Sequence, residues 1–130
     1  MARREFPLPP EDVECLESSG FTWEAVQYGT QRGIVMRSFL LPAGLRPSEV
    51  DLLIRIPPQY PVAALDMFYL SPGASRTDGR PIDRLTTEAF DGVSWQRWSR
   101  HRLPEQRWRP GVDSISTHLH LVTSALRADA

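Results

Sequence analysis

"VDLLIRIPPQYPVAALDMFYL", residues 50–70, is the stretch whose reading decides the fold. In its first part Leu52, Ile54 and Ile56 recur every second residue, which puts them on one face of an extended segment. In its last part, residues 63–70, apolar and aromatic residues return over a length suited to a second strand. Between them Pro57, Pro58 and Pro61 break the run. Proline cannot donate to a sheet ladder, so the chain must turn there.

Working outward, "FTWEAVQYG" alternates Phe21, Trp23 and Ala25 before shifting toward Tyr28. With Gly29 and Gly33 bounding the next three residues, it pairs with "GIVMRSFLLP" as a β-hairpin. The connection "PAGLRPSE" is rich in turn formers. Ahead of the hairpin, "PPEDVECLESSGF" opens with acids, carries Val13 and Leu16 three apart and meets Gly20, which predicts a short helix. Beyond Leu70, "SPGASRTDGRPIDRLTTEAFDG" has no sustained period and reads as a long irregular connection over 71–92, with one helical turn near Thr86 to Phe90. The last segment, "RPGVDSISTHLHLVTSALRADA", places Asp113 at an N-cap, with Ile115, Leu119, Val122 and Leu126 forming one apolar stripe of an amphipathic helix. The expected fold class is α+β: a four-stranded antiparallel β-meander with a short N-terminal helix and a C-terminal helix packed on it.

Size and charge set further limits. With 130 residues and 41% hydrophobic content the chain is expected to form a single domain, 1–130. Its formal charge is only -1, and residues 67–130 are mildly basic, with nine Arg against seven acids. That imbalance falls short of the basic stripe of a dedicated nucleic-acid binder, so no nucleic-acid partner is expected. Cys15 is the only cysteine, which excludes an internal disulfide framework. "MARREFPLPPEDVECL" lacks the apolar run of a secretory signal, and no stretch approaches the ~20 apolar residues of a membrane span. A cytoplasmic setting and no membrane partner follow as expectations. Lysine and asparagine are both absent.

The segment with the most reactive composition is "WQRWSRHRLPEQRWR", residues 95–109, which holds three Trp and five Arg with Glu105 its single acid. Composition leaves three readings open: Trp and Arg gripping nucleic acid, an acid/base site, or a packed corner with a solvated arginine rim.

Several motifs together resemble the ubiquitin-conjugating enzyme (UBC-like) superfamily. "IPPQYPVAALDMFY" looks like its Pro-x-x-Tyr-Pro turn leading into the fourth strand, with Tyr60 and Pro61 as the specific pair. "RWRPGVDSISTHLHLVTSAL" is similar to its Trp-x-Pro segment and following helix, with Trp108, Pro110 and Asp113 at matching positions. "LPPEDVECL", "DLLIRIPPQYP", "DMFYLSPG" and "WSRHR" look closest to the bacterial branch called prokaryotic family E. The resemblance makes 94–109 an active-site-like segment reached through the loop 71–92. It implies three partners: a ubiquitin-like protein, an adenylating activating enzyme and an acceptor protein with an amine. It also places contact with the activating enzyme on the N-terminal helix.

The departures from that family matter most. Its usual enzyme carries a cysteine about eight residues before the Trp matching Trp108, and an Asn that steadies the oxyanion. Here the nucleophile position falls in "WSRH", at Ser99, Arg100 or His101. Cys15 sits instead beside Val13 and Leu16 in the first helix, which suits a packed thiol. A serine hydroxyl becomes a useful nucleophile when a base takes its proton. In an extended segment Ser99 and His101 would point to one side, and Arg100 or a backbone N–H would stand in as oxyanion donor. One function is therefore transfer of a ubiquitin-like protein through a Ser99 oxyester, a noncanonical acyltransferase. The alternative is a non-catalytic UBC-like binding module or adaptor for the ubiquitin-like protein or its activating enzyme, with Trp95, Trp98 and Trp108 as packing residues.

Other candidates are weaker. His118 and His120 lie two apart on the last helix, which is wrong for a metal pair and suits surface or packing roles. Asp66 and Asp83 could assist a base, although spacing singles out neither. With no Gly-rich phosphate loop and no ligand spacing, neither cofactor nor metal is expected, and ATP use would belong to a partner. The missing lysines fit a composition biased toward Arg, Ala and Pro. They also fit an enzyme that avoids acylating its own amines.

Overall fold

In the computed structural model, which describes residues 2–130, the Pro-rich turn lies where the sequence places it, between two strands of one antiparallel sheet. The first helix, α1 (Pro10–Ser18), is followed by β1 (Thr22–Tyr28), β2 (Gln31–Leu40), the short β3 (Leu45–Arg46), β4 (Glu49–Ile56) and β5 (Phe68–Ser71). Then come the short β6 (Ser75–Arg76), β7 (Leu85–Phe90), β8 (Val93–Trp98), a 3-10 turn at Pro104–Gln106, and the second helix α2 (Ile115–Ala128). The main sheet has six strands in the order β1-β2-β4-β5-β8-β7, and β3 pairs with β6 in a small second sheet. The architecture is α+β, and the four-strand meander is present as β1-β2-β4-β5. No helix among the described residues is long and apolar enough to cross a membrane.

The periodicity of β4 is realised directly. Leu52, Ile54 and Ile56 all face the main core, where they meet Leu16 of α1 and Ile115, Val122 and Leu126 of α2. Register aligns apolar residues across the strands, with Ile34 opposite Ile54, Leu52 opposite Leu70 and Phe68 opposite Trp98. Both helices therefore cover one face of the sheet. The opposite face carries a smaller cluster built from Val26, Val35, Leu53, Tyr69, Phe90 and Trp95. At the β1 edge, the N-terminal residues run alongside the strand, with Glu5 N–H donating to Ala25 O at 2.8 Å and Ala25 N–H to Arg3 O at 2.9 Å. That contact covers backbone groups an open edge would leave unpaired.

The connection 71–92 departs from the expectation of an irregular loop. Residues 75–76 form β6, and 85–90 form strand β7 rather than a helical turn. The reason lies in the residues that follow. Asp91 and Gly92 both have positive φ, 53° and 74°, so this Asp-Gly pair makes a tight hairpin turn that returns the chain as β8. Two threonines suit β7, whose pairing runs from Leu85 opposite Trp98 to Phe90 opposite Val93. The "WQRW" segment is consequently a strand, and its two tryptophans point to opposite faces.

A second difference concerns the start of α2. Its N-cap is Ser114, whose N–H donates to Thr117 Oγ1 at 3.0 Å. Asp113, expected in that role, is instead buried and accepts the Arg109 N–H at 2.8 Å. The helix's first N–H, on Ile115, reaches across the molecule to Asp12 Oδ1 and to the Tyr60 hydroxyl, each at 3.2 Å. Tyr60 in turn donates to Asp12 Oδ2. Burial raises the Asp12 pKa above the usual carboxylate value, against these two hydrogen bonds. The Tyr60 pKa is also raised, first by burial and then by the Asp12 carboxylate, so its hydroxyl stays protonated and donates.

Gly33, read from sequence as a hairpin boundary, lies inside β2 opposite Val26. A Cβ there would stand 2.6 Å from Leu53 Cδ1 and 3.1 Å from the Phe90 ring. Leu53 is fully buried, so moving aside would disturb the packing around it. Gly33→Ala is expected to cost about 1–3 kcal/mol through overpacking, read as a lower urea midpoint at unchanged m-value. An unchanged midpoint would show that Leu53 and Phe90 pack less tightly against Gly33 than described.

Candidate functional site

The site grows from the end of β8. Trp98 is fully buried and stacks on Phe68, with ring centroids 5.3 Å apart. Trp95 is buried on the other face, where its Nε1–H donates to Phe90 O at 3.3 Å. Neither ring is free to stack on a nucleic-acid base, and both act as anchors. Beyond Trp98 the strand stops, because Arg100 N–H bonds back to Trp98 O at 3.0 Å and turns the chain at Ser99.

The three residues proposed to act together share no side-chain to side-chain hydrogen bond among the described residues, although Arg100 donates to the Ser99 carbonyl at 3.2 Å. Ser99 is half-buried; its N–H donates to Arg84 O at 3.2 Å, and its hydroxyl has no hydrogen-bond partner among the described residues. His101 is exposed and directs Nδ1 to Asp66 Oδ2 at 3.1 Å, with no hydrogen bond to Ser99. Arg100 is held on all sides: by Asp129 at 3.0 Å, by the carbonyl of Asp83 at 3.0 Å, and by the Trp98 ring, 4.9 Å from its guanidinium. The Ser99 hydroxyl and the His101 ring are therefore not hydrogen-bonded to each other. Of the two acids considered from sequence, Asp66 is the one that orients His101, while Asp83 contributes only its backbone carbonyl to Arg100. Cys15 lies half-buried on α1.

Two residues that spacing did not single out organise the other side. His118 on α2 is buried, with Nε2 2.8 Å from Met67 O and Nδ1 3.1 Å from an Arg102 nitrogen. A carbonyl only accepts and a guanidinium only donates, so Nε2 carries the proton and Nδ1 accepts. His118 is thus a neutral, tautomer-fixed link between α2 and the chain entering β5, as a packing role requires. Arg102 donates further to Leu65 O at 3.1 Å and Gln106 O at 3.2 Å, and its guanidinium lies 4.9 Å from the Trp108 ring. Trp108 donates its Nε1–H to Pro61 O at 2.9 Å and packs against Tyr60. The Tyr-Pro turn and the Trp-x-Pro segment, 47 residues apart, are therefore one contact in space.

A model of prokaryotic E2 family E matches residues 8–129, nearly the whole chain. The chain belongs to prokaryotic E2 family E. No curated protein and no solved structure matches significantly. Family membership and the α+β sheet with its two flanking helices agree on a UBC-like fold. Membership also supports a ubiquitin-conjugating-like role in general terms, with partners of the ubiquitin-like and activating-enzyme kind. The segment read from sequence as active-site-like, 94–109, covers most of β8 and the crossing that follows it.

Burial lowers the His118 pKa below its ordinary value of 6.5, with the Arg102 charge acting in the same direction and the Met67 carbonyl opposing. The unfolded chain takes up this proton near 6.5 and the folded chain takes it up only at lower pH. The His118 contribution to stability is therefore intact above 6.5 and is lost as pH falls from there toward the folded value. Imidazole NMR is expected to show an Nε2–H tautomer for His118 and a titration midpoint below 6.5. A midpoint at or above that value, or an Nδ1–H tautomer, would refute the assignment.

Proposed function

We propose that this E2-family chain acts in ubiquitin-like protein conjugation as a docking module, in a cytoplasmic setting, and holds the ubiquitin-like protein or its activating enzyme without a covalent intermediate. The observation that carries this reading is the hydrogen bonding at residues 99–101. The oxyanion candidate Arg100 is tied into the fold, and the base candidate His101 is turned to Asp66. A weak nucleophile with neither base nor free oxyanion donor in reach gains little rate. The same crossing presents Arg107 and Arg109 as exposed cations, the solvated rim expected of a face that meets acidic partner surface.

One observation favours the second reading, acyl transfer through a Ser99 oxyester to an acceptor amine. The Ser99 hydroxyl is only half-buried and lacks a hydrogen-bond partner among the described residues, two positions from a His–Asp pair. In that case closure on a partner would have to bring His101 to Ser99.

One reconstituted reaction separates the two. Incubated with activator, ATP and the ubiquitin-like protein, the chain is expected to form a complex with no covalent adduct, and Arg107→Glu is expected to weaken it about tenfold through lost charge complementarity. An adduct that resists thiol reductant, yields to hydroxylamine and disappears in Ser99→Ala would replace docking with oxyester transfer.

A further inference from the structure

Between α2 and the crossing that follows β8 lies a cleft of about 330 Å³. That volume falls at the small end of the range typical of small-molecule sites, about 300–1,000 Å³. Its apolar wall is made by Phe68 and, from α2, by Leu121, Val122 and Ala125. Leu103 adds an apolar rim and is 54% exposed, high for a large aliphatic side chain with a wall beside it.

The charge around this wall is one-sided. Arg84, Arg100 and Arg102 line the cleft, and among the described residues no Asp or Glu does. Arg100 is answered by Asp129. Arg102 is not: its donors go to two carbonyls and to the neutral His118 ring, and among the described residues no carboxylate lies within ion-pair distance. The two acids whose fields favour its charge already hold other cations or imidazoles, Asp66 with His101 and Asp113 with Arg109. Arg84 is exposed, and its guanidinium makes neither a hydrogen bond nor an ion pair among the described residues. A half-buried guanidinium beside apolar surface, without a counter-charge, is an unfavourable arrangement that a bound anion relieves.

We propose that this cleft binds a small carboxylate carried on an apolar body. The carboxylate sits against Arg102 and Arg84, and the body lies along Leu121, Val122 and Ala125. A guanidinium recognises a carboxylate through two parallel N–H bonds, which a neutral head group cannot match. The cleft's size favours a free organic acid. The C-terminal residue of a peptide offers the same chemistry and is separated from it by experiment. The site stands independently of whether Ser99 ever forms an ester.

The test is an NMR titration of the full chain, following the amides of residues 121–125 and the Arg102 Nε–H. The probes are octanoate, octanamide, and a short leucine-ended peptide with a free or an amidated C-terminus. Octanoate is expected to move these signals and to bind at least about tenfold more tightly than octanamide, with Arg84→Gln and Arg102→Gln each weakening it by a similar factor. Tighter binding of the free-acid peptide than of octanoate, with no binding of its amide, would keep the chemistry and assign the carboxylate to a chain terminus. Equal binding of acid and amide, or no shift with either acid, would overturn the proposal. Arg102 also supports the fold, so Leu121→Trp, which fills the cleft, and Arg84→Gln decide the matter if Arg102→Gln does not fold.

Discussion

One buried carboxylate holds three distant parts of this chain together. Asp12, near the start of α1, receives the Tyr60 hydroxyl from the Pro-rich turn and the first N–H of α2 at Ile115, partners 48 and 103 residues away. The Ile115 N–H is one of the donors a helix start leaves without an intrahelical partner. Here it is satisfied by another element, so the position of α2 is set by α1 and the turn together. Once α2 starts there, Ile115, Val122 and Leu126 face Leu52, Ile54 and Ile56 and the main core closes. Tyr60 also packs on Trp108, and the next residue, Pro61, accepts the Trp108 Nε1–H. The same turn thereby fixes the far end of the crossing that begins at Ser99.

The chemistry of the crossing follows from this anchoring. With Trp98 stacked inside and Trp108 bonded to Pro61, the intervening residues span the gap between strand end and helix start, and their arginines are used as fasteners. Arg100 ties to Asp129 beyond α2, and Arg102 ties to Leu65, Gln106 and His118. A segment held this way presents a fixed surface. For the docking and anion binding proposed above, such a surface offers charges already positioned, since preorganised donors need no ordering on binding. Family membership supports a ubiquitin-conjugating-like role in general terms, and docking through this crossing is the form of it we propose.

Much of the scaffold was legible in the residues themselves. The alternation of Leu52, Ile54 and Ile56 and the first hairpin carry their own period and turn signals, and the structure follows them, with the turn closing at Gly29 and Thr30 and Gly33 falling inside β2. The seventh strand did not announce itself, because "LTTEAF" has no apolar alternation and its decisive signal is the Asp91–Gly92 turn, two residues embedded in a stretch full of other turn formers. Asp12 looked like an ordinary first-turn acid, and only the approach of Tyr60 and α2 reveals why it is buried. Likewise no spacing rule joins Asp66 to His101 or Arg102 to His118, since those pairs come from different elements brought together by packing. Ser99 and His101 are not hydrogen-bonded to each other, because His101 turns to Asp66 and the chain bends at Ser99, where Arg100 N–H bonds back to Trp98 O.

The most direct measurement of this central constraint is a double-mutant cycle between Asp12→Ala and Tyr60→Phe, with unfolding free energies taken from urea denaturation at neutral pH. The pair shares one buried hydrogen bond to a charged group, so the expected coupling is about 1.5–3 kcal/mol. Free energies that add to within about 0.3–0.5 kcal/mol, as independent sites do, would show that the two side chains do not act as one node.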